Sequence, residues 1–174
     1  VMEGNIIPNI VNNIDLIAHL HGAGHPGRNE MQFGESDYKN IIKAVKKACP
    51  DAVRQRCLAH IQRECLIWIT KHPKSEAGKQ LRTIVSLISK IKTHNDRKEW
   101  LNMFNQWSDT FKDYLNTKTF KEDTHREWYT HKMVRKAFVH INKALPDMFH
   151  FLDNPRIPKT TNALESFFGH LKEN

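Results

Sequence analysis

The stretch Ala52-Val53-Arg54-Gln55-Arg56-Cys57-Leu58-Ala59-His60-Ile61-Gln62-Arg63-Glu64-Cys65-Leu66-Ile67-Trp68-Ile69 changes period in mid-course. From Ala52 to Cys57, Val53, Gln55 and Cys57 fall on one side and Arg54 and Arg56 on the other, which predicts a short strand. From Leu58 onward, Leu58, Ile61, Cys65, Trp68 and Ile69 recur at helical spacing, which predicts a helix ending before Pro73. The stretch thus reads as a short strand leading into a helix.

Outward from this junction the pattern is helical. On the N-terminal side Ile41, Ile42, Val45 and Cys49 share a helix face that Pro50 terminates. On the C-terminal side Ser75 opens a helix with Ala77, Leu81, Ile84, Ile88 and Ile91 inward. Asp96 and Glu99 have the spacing of a capping box ahead of Trp100, Phe104, Trp107, Phe111 and Tyr114. Val134, Phe138, Ile141 and Leu145 mark a further helix closed by Pro146. Beyond Pro155 and Pro158, Leu164, Phe167, Phe168 and Leu171 form one last apolar face. These stripes are core by default, and none has the character of a cofactor pocket.

Residues 1–34 stand apart, with five of the seven glycines, two prolines and three of the eleven histidines. Gly22, Gly24 and Gly27 fit the dinucleotide fingerprint, but no amphipathic helix follows, so the context fails. His19, His21 and His25 have metal-ligand chemistry, yet a glycine-bordered loop accounts for them equally simply.

The chain has 174 residues, 39% hydrophobic and 26% charged, enough apolar material for one domain with a core. No run approaches the roughly 18 apolar residues that a membrane span requires, and the N-terminus has no signal-peptide character. Twenty-seven Lys and Arg against 19 Asp and Glu give a net charge of +8. Such an excess suits a polyanionic partner, nucleic acid first, because phosphate contacts release condensed counterions. A solvated basic surface is the plain alternative. Three cysteines without a secretory signal suggest reduced thiols and a cytoplasmic, nucleoid-associated protein. The first residue is Val1 and the last lies within a helical pattern, so the sequence reads as a fragment.

Several positions carry chemistry. Asp37 precedes a helix, where a carboxylate serves either as N-cap or as a metal ligand. Asn162 and Glu165 lie three apart on the last helix, opposite its apolar face, as a solvated pair or as site residues. Cys57 and His60 sit one turn apart at the strand-to-helix junction, half of a tetrahedral zinc site that Cys65 and His72 would complete. One regular helix wraps four ligands around an ion poorly, and no third group completes a Cys-His nucleophile. Arg126, Trp128, Lys132, Arg135 and Lys136 interleave cations with an aromatic, which suits DNA backbone contact with base stacking. Arg54, Arg56 and Arg63 flank the Cys-His block within reach of phosphate. A solvated helix face, or for Trp128 the core, is the alternative for each.

The order Ser36-Asp37, then Gln55-Arg56-Cys57-Leu58-Ala59-His60-Ile61-Gln62-Arg63, then Thr160-Thr161-Asn162-Ala163-Leu164-Glu165-Ser166 resembles the Mutator-like DDE transposases of bacterial insertion sequences. Trp128-Tyr129-Thr130-His131-Lys132 and Ala144-Leu145-Pro146 resemble them too. The likeness covers residues 35–174 and does not extend to 1–34. It implies a mainly α chain in which a partial RNase H-like α/β core is interrupted by a long all-helical insertion. Residues 35–65 would belong to that core, 66–158 to the insertion, and 159–174 to the returning core helix. It further implies that Asp37 and Glu165 are the second and third acids of the catalytic site and ligands of Mg2+ (or Mn2+). Asn162, Cys57 and His60 would support them.

The implied activity is metal-dependent cleavage and transfer of DNA strands at transposon ends. The implied partners are double-stranded DNA, at the transposon ends and the target, and a second copy in a homodimer or larger synaptic assembly, with no membrane. Two features depart from the pattern. Tyr38 stands where relatives are expected to carry Gly, and the only upstream candidate for the first acid is Asp15. Asp15 lies only 22 positions before Asp37, too close for the strands and helix that must separate those acids. The fragment alone is therefore expected to be inactive. A non-catalytic helical nucleic-acid-binding module, with or without zinc at Cys57 and His60, and an inactive element remnant are the alternatives.

Overall fold

The computed structural model describes residues 53–161, together with 43, 44, 47 and 48. Those four are helical and exposed. The readings of residues 1–34, of Asp37 and of 162–174 lie outside the described residues.

Six helices and one hairpin make up the described body. Helix α1 spans Leu58–Ile69, α2 Glu76–Ser86, α3 His94–Thr110 and α4 Lys112–Asn116. Strands β1, Lys118–Lys121, and β2, Arg126–Tyr129, follow, then α5, Lys132–Ala144, and α6, His150–Asp153. Single 3-10 turns at Ile88–Lys90 and Leu145–Asp147 link α2 to α3 and α5 to α6. The fold is mainly α, and the stretch 66–158, read as all helical, also holds the hairpin. Among the described residues no helix is long and apolar enough to cross a membrane.

The apolar stripes form one core. Helix α1 lies between α2 and α5 and buries Leu58, Ile61, Cys65 and Ile69 against them. Helix α2 contributes Ala77, Leu81, Ile84 and Val85, and the following turn contributes Ile88 and Ile91. Trp100, Phe104 and Trp107 run down α3 at helical spacing, with the first two rings stacked 5.4 Å apart. Both buried indoles donate to a carbonyl of α2, Trp100 to Ile84 at 2.8 Å and Trp107 to Ala77 at 3.0 Å. Each N–H left unpaired in this core would cost about 1–3 kcal/mol, so the two bonds fix how α3 lies on α2.

The helix ends follow local chemistry. Ser75 caps α2 by accepting from the Gly78 amide. The capping box of α3 is Thr93 with Asp96, one turn earlier than the Asp96–Glu99 pairing expected. The Asp96 carboxylate accepts from the Lys92 and Thr93 amides, while Glu99 accepts from the Asn95 side chain at 2.7 Å. A threonine hydroxyl preceding the helix thus claims the cap, and Asp96 becomes the reciprocal N3 acceptor. At the other end of α1, Arg82 donates to the Leu66 and Thr70 carbonyls at 3.3 and 2.6 Å, which satisfies and charge-complements a helix C-terminus.

Candidate functional site

Among the described residues the segment Val53–Cys57 pairs with no strand, and its extended backbone is stitched to the turn after α5. The Arg56 amide donates to the Asp147 carbonyl at 2.7 Å, and Arg54 pairs with the Asp147 carboxylate at 3.3 Å. Gln55 is buried and supplies what a ladder partner would have. Its amide donates to Arg56 O at 2.7 Å and Met148 O at 2.8 Å, and its Oε1 accepts from the Phe151 amide at 3.3 Å. The alternation matches burial at Gln55 and Cys57, but Val53 is 44% exposed, and among the described residues no strand lies against it.

Cys57 stands at the end of this segment, as N-cap residue of α1, and is 4% exposed. Its sulfur accepts from Thr161 twice, from the amide at 3.4 Å and from the hydroxyl at 3.3 Å. One residue on, the Leu58 amide donates to the Lys159 carbonyl at 3.0 Å. Burial alone would raise the Cys57 thiol, but hydrogen bonds from His60 and Thr161 outweigh it and bring it down to about 7. Cys57, His60 and Thr161 thus form one buried polar cluster that ties the start of α1 to the end of the described chain. Thr161 was quoted within a motif but not singled out as a site residue; its spacing from Asn162 and Glu165 was the available signal.

The four-ligand zinc arrangement is not formed. Cys65 lies roughly 12 Å further along the helix axis than Cys57 at 1.5 Å per residue, whereas thiolates sharing one zinc each bind at about 2.3 Å. Its sulfur faces the Ala137 carbonyl in the core, where burial first and the neighbouring Glu64 carboxylate second push the thiol up to about 12. His72 is exposed, and among the described residues no group of three or more His, Cys, Asp or Glu side chains is arranged to hold a metal.

The cationic-aromatic residues fall on two elements. Arg126 and Trp128 lie on β2, Lys132, Arg135 and Lys136 on α5. Antiparallel pairing sets Lys118 against Tyr129, Thr119 against Trp128, Phe120 against Glu127 and Lys121 against Arg126. Arg135 is engaged within the chain: its guanidinium stacks 3.7 Å from the Tyr129 ring centroid and donates to Leu115 O and Asn116 Oδ1 at 3.2 and 3.0 Å. Lys136 sits 4.1 Å above the Trp68 ring. Trp128 is 45% exposed, so it is not core, and Arg126 and Lys132 are exposed as well. Arg63 is exposed on α1 and Arg56 half-buried. The hairpin itself escaped sequence reading, because its strands are four residues long and its turn lacks the usual glycine.

Comparison with known proteins places this geometry in a family. Residues 36–167 match a family described as "Transposase IS66 family". No curated protein and no solved structure matches the chain. The match supports a DDE transposase and corrects the finer resemblance, since the family is not the Mutator-like one. The matched span starts one residue before Asp37, ends two after Glu165 and takes in most of the sequence, so the chain belongs to the IS66 family of transposases.

Proposed function

We propose that Asp37 and Glu165 are the second and third acids of a DDE site that cuts and joins DNA strands at transposon ends, with Mg2+ (or Mn2+) as cofactor. The observation that supports this best is the Cys57–Thr161 contact. It joins the Gln55-Arg56-Cys57 block to a residue four positions before Glu165 across about a hundred residues of intervening chain. A site assembled from distant segments needs such a fixed junction.

The donor set fits the proposed ions, because carboxylates are hard oxygen ligands that also offset divalent charge. When bound, a pair of such ions supplies an activated water or 3′-hydroxyl and stabilises the leaving oxygen of an in-line displacement at phosphorus. The chain's own residues divide the remaining work. Asn162, three residues before Glu165, orients its carboxylate as an outer hydrogen-bonding partner. Cys57, itself hydrogen-bonded by His60, holds Thr161 and so the approach to that segment. Arg56 and Arg63 take DNA phosphate, whereas Arg54 is already paired with Asp147 and serves the fold. Double-stranded DNA is the partner, and two or more copies of the protein bring the ends together.

The test is strand nicking and joining by the full-length transposase, with its first acid present, on oligonucleotides carrying the element's own ends, in Mg2+ or Mn2+. Asp37→Asn and Glu165→Gln should each abolish both steps and leave DNA binding intact. Wild-type nicking by Glu165→Gln would refute the assignment of the third acid. Stoichiometric zinc in the purified protein would favour a non-catalytic zinc-bearing module instead.

A further inference from the structure

The hairpin has two chemically unequal faces. Directly opposed residues of an antiparallel pair share a face, so Lys118, Phe120, Glu127 and Tyr129 lie on one and Thr119, Lys121, Arg126 and Trp128 on the other. On the first face Lys118 pairs with Glu127 at 3.0 Å and Tyr129 receives the Arg135 guanidinium; Phe120 is 58% exposed there, beside the His125 ring, but among the described residues has no unpaired cation next to it on that face. The second carries an indole that is 45% exposed and two cations. Arg126 has no ion-pair partner among the described residues, and Lys121 has Asp123 at 4.0 Å, the outer limit of an ion pair.

Resting on the DNA-transposase reading above, we propose that this second face is a stacking platform for an unpaired base of the DNA. Trp128 offers its ring to the base while Arg126 and Lys121 take the adjoining phosphates. Three observations lead there. An exposed indole beside cations is the combination that binds single strands, where each stacked base contributes about 1–3 kcal/mol. The Thr119 and Thr130 hydroxyls bond each other at 2.7 Å, which leaves the indole and the two cations as the groups this face offers. And the ribbon is braced before any ligand arrives. The Thr130 amide donates to Thr117 O at 3.0 Å, and His131 stacks on Tyr114 with centroids 3.5 Å apart. A pre-ordered platform costs little to bind.

The experiment measures affinity of the full chain for two DNA probes of one sequence, a blunt duplex and the same duplex with a short single-stranded overhang. Trp128→Ala should weaken binding of the overhang probe by roughly 5- to 100-fold, leave the blunt duplex unchanged and keep the wild-type melting temperature. Trp128→Phe should restore most of the loss. Arg126→Ala should weaken both probes and lower the salt dependence by about one counterion. Equal losses on both probes, or none on the overhang, would overturn the platform while the DNA reading stands. A wild-type chain that binds neither probe would overturn both.

Discussion

Arg135 was read from sequence as a DNA contact, and the structure supplies the means to separate that role from a structural one. Its guanidinium covers the Tyr129 ring at 3.7 Å and donates to the last turn of α4, at Leu115 O and Asn116 Oδ1. A half-exposed cation-π contact contributes about 0.5–1 kcal/mol, and two part-exposed hydrogen bonds add about 0.5–1 kcal/mol each. Arg135→Ala should therefore release about 2 kcal/mol of local stability, equivalent to roughly 30-fold more frequent opening of the hairpin. A lone two-stranded ribbon is marginal in water, so this contact adds to the Thr130–Thr117 bond and the Tyr114–His131 stack in holding the root of the strands. The helical core should be affected much less, since α1, α2 and α3 bury their stripes independently of this contact.

Arg135→Lys makes the test decisive. Lysine keeps the charge that a phosphate needs but loses the planar fork that stacks and donates twice. Native-state hydrogen exchange at the Thr130 amide, whose bond to Thr117 O closes the root of the ribbon, reads the opening directly. Both variants should exchange there roughly 30-fold faster than wild type, and trypsin should cut at Lys121 and Arg126 sooner. Slow exchange in both variants, together with DNA affinity lost in Arg135→Ala and restored in Arg135→Lys, would refute the bracing role.

Two further outcomes are expected. Folding lowers the Cys57 thiol from 9.0 to about 7, so between those values the unfolded chain binds more protons than the folded one. Stability should rise by up to about 2–3 kcal/mol from pH 7 to pH 9 and fall away as pH drops through 7. Urea midpoints should show this rise in wild type and not in Cys57→Ser; equal slopes would refute it. Gly78→Ala should lower the melting temperature although alanine is the better helix former, because its Cβ would meet the Pro73 Cβ at 2.9 Å and the Ser75 hydroxyl at 3.1 Å. Overpacking of about 1–3 kcal/mol exceeds the propensity gain of about 1 kcal/mol, and a raised melting temperature would contradict that balance.

What could be read from the sequence tracks how local the determining physics is. The stripe Leu58, Ile61, Cys65, Ile69 and the stripe Trp100, Phe104, Trp107 were legible, since helical periodicity and burial report on the same face. The period-two pattern before Cys57 was also real, but it shows only that the chain is extended. Whether an extended segment joins a sheet depends on what it meets, and here it meets Asp147, Met148 and Phe151. The hairpin was hidden for a related reason: His125 takes the left-handed position, φ 48°, that a glycine or asparagine would have advertised. Interleaved cations and aromatics at 126–136 suit DNA backbone contact with base stacking, but the pattern does not say whose rings the cations meet. For Arg135 and Lys136 the rings belong to the chain itself, Tyr129 and Trp68.

The same distinction explains why the Gln55-Arg56-Cys57 block is informative out of proportion to its length. Gln55 holds the turn after α5, Cys57 and the Leu58 amide hold residues 159–161, and Lys159 in turn donates to Ser89 O at 3.2 Å. Every one of these bonds joins segments 70 or more residues apart. No local pattern could specify them, yet each requires a definite residue type: an amide with both donor and acceptor, or a sulfur able to accept twice. Helices α2 to α5 can therefore vary in surface chemistry, provided they return residue 161 to Cys57. That requirement, not helix propensity, ties the helical body to the segment carrying Asn162 and Glu165. Substitutions that loosen the junction should disturb the proposed site while the melting of α2 and α3 stays nearly wild type.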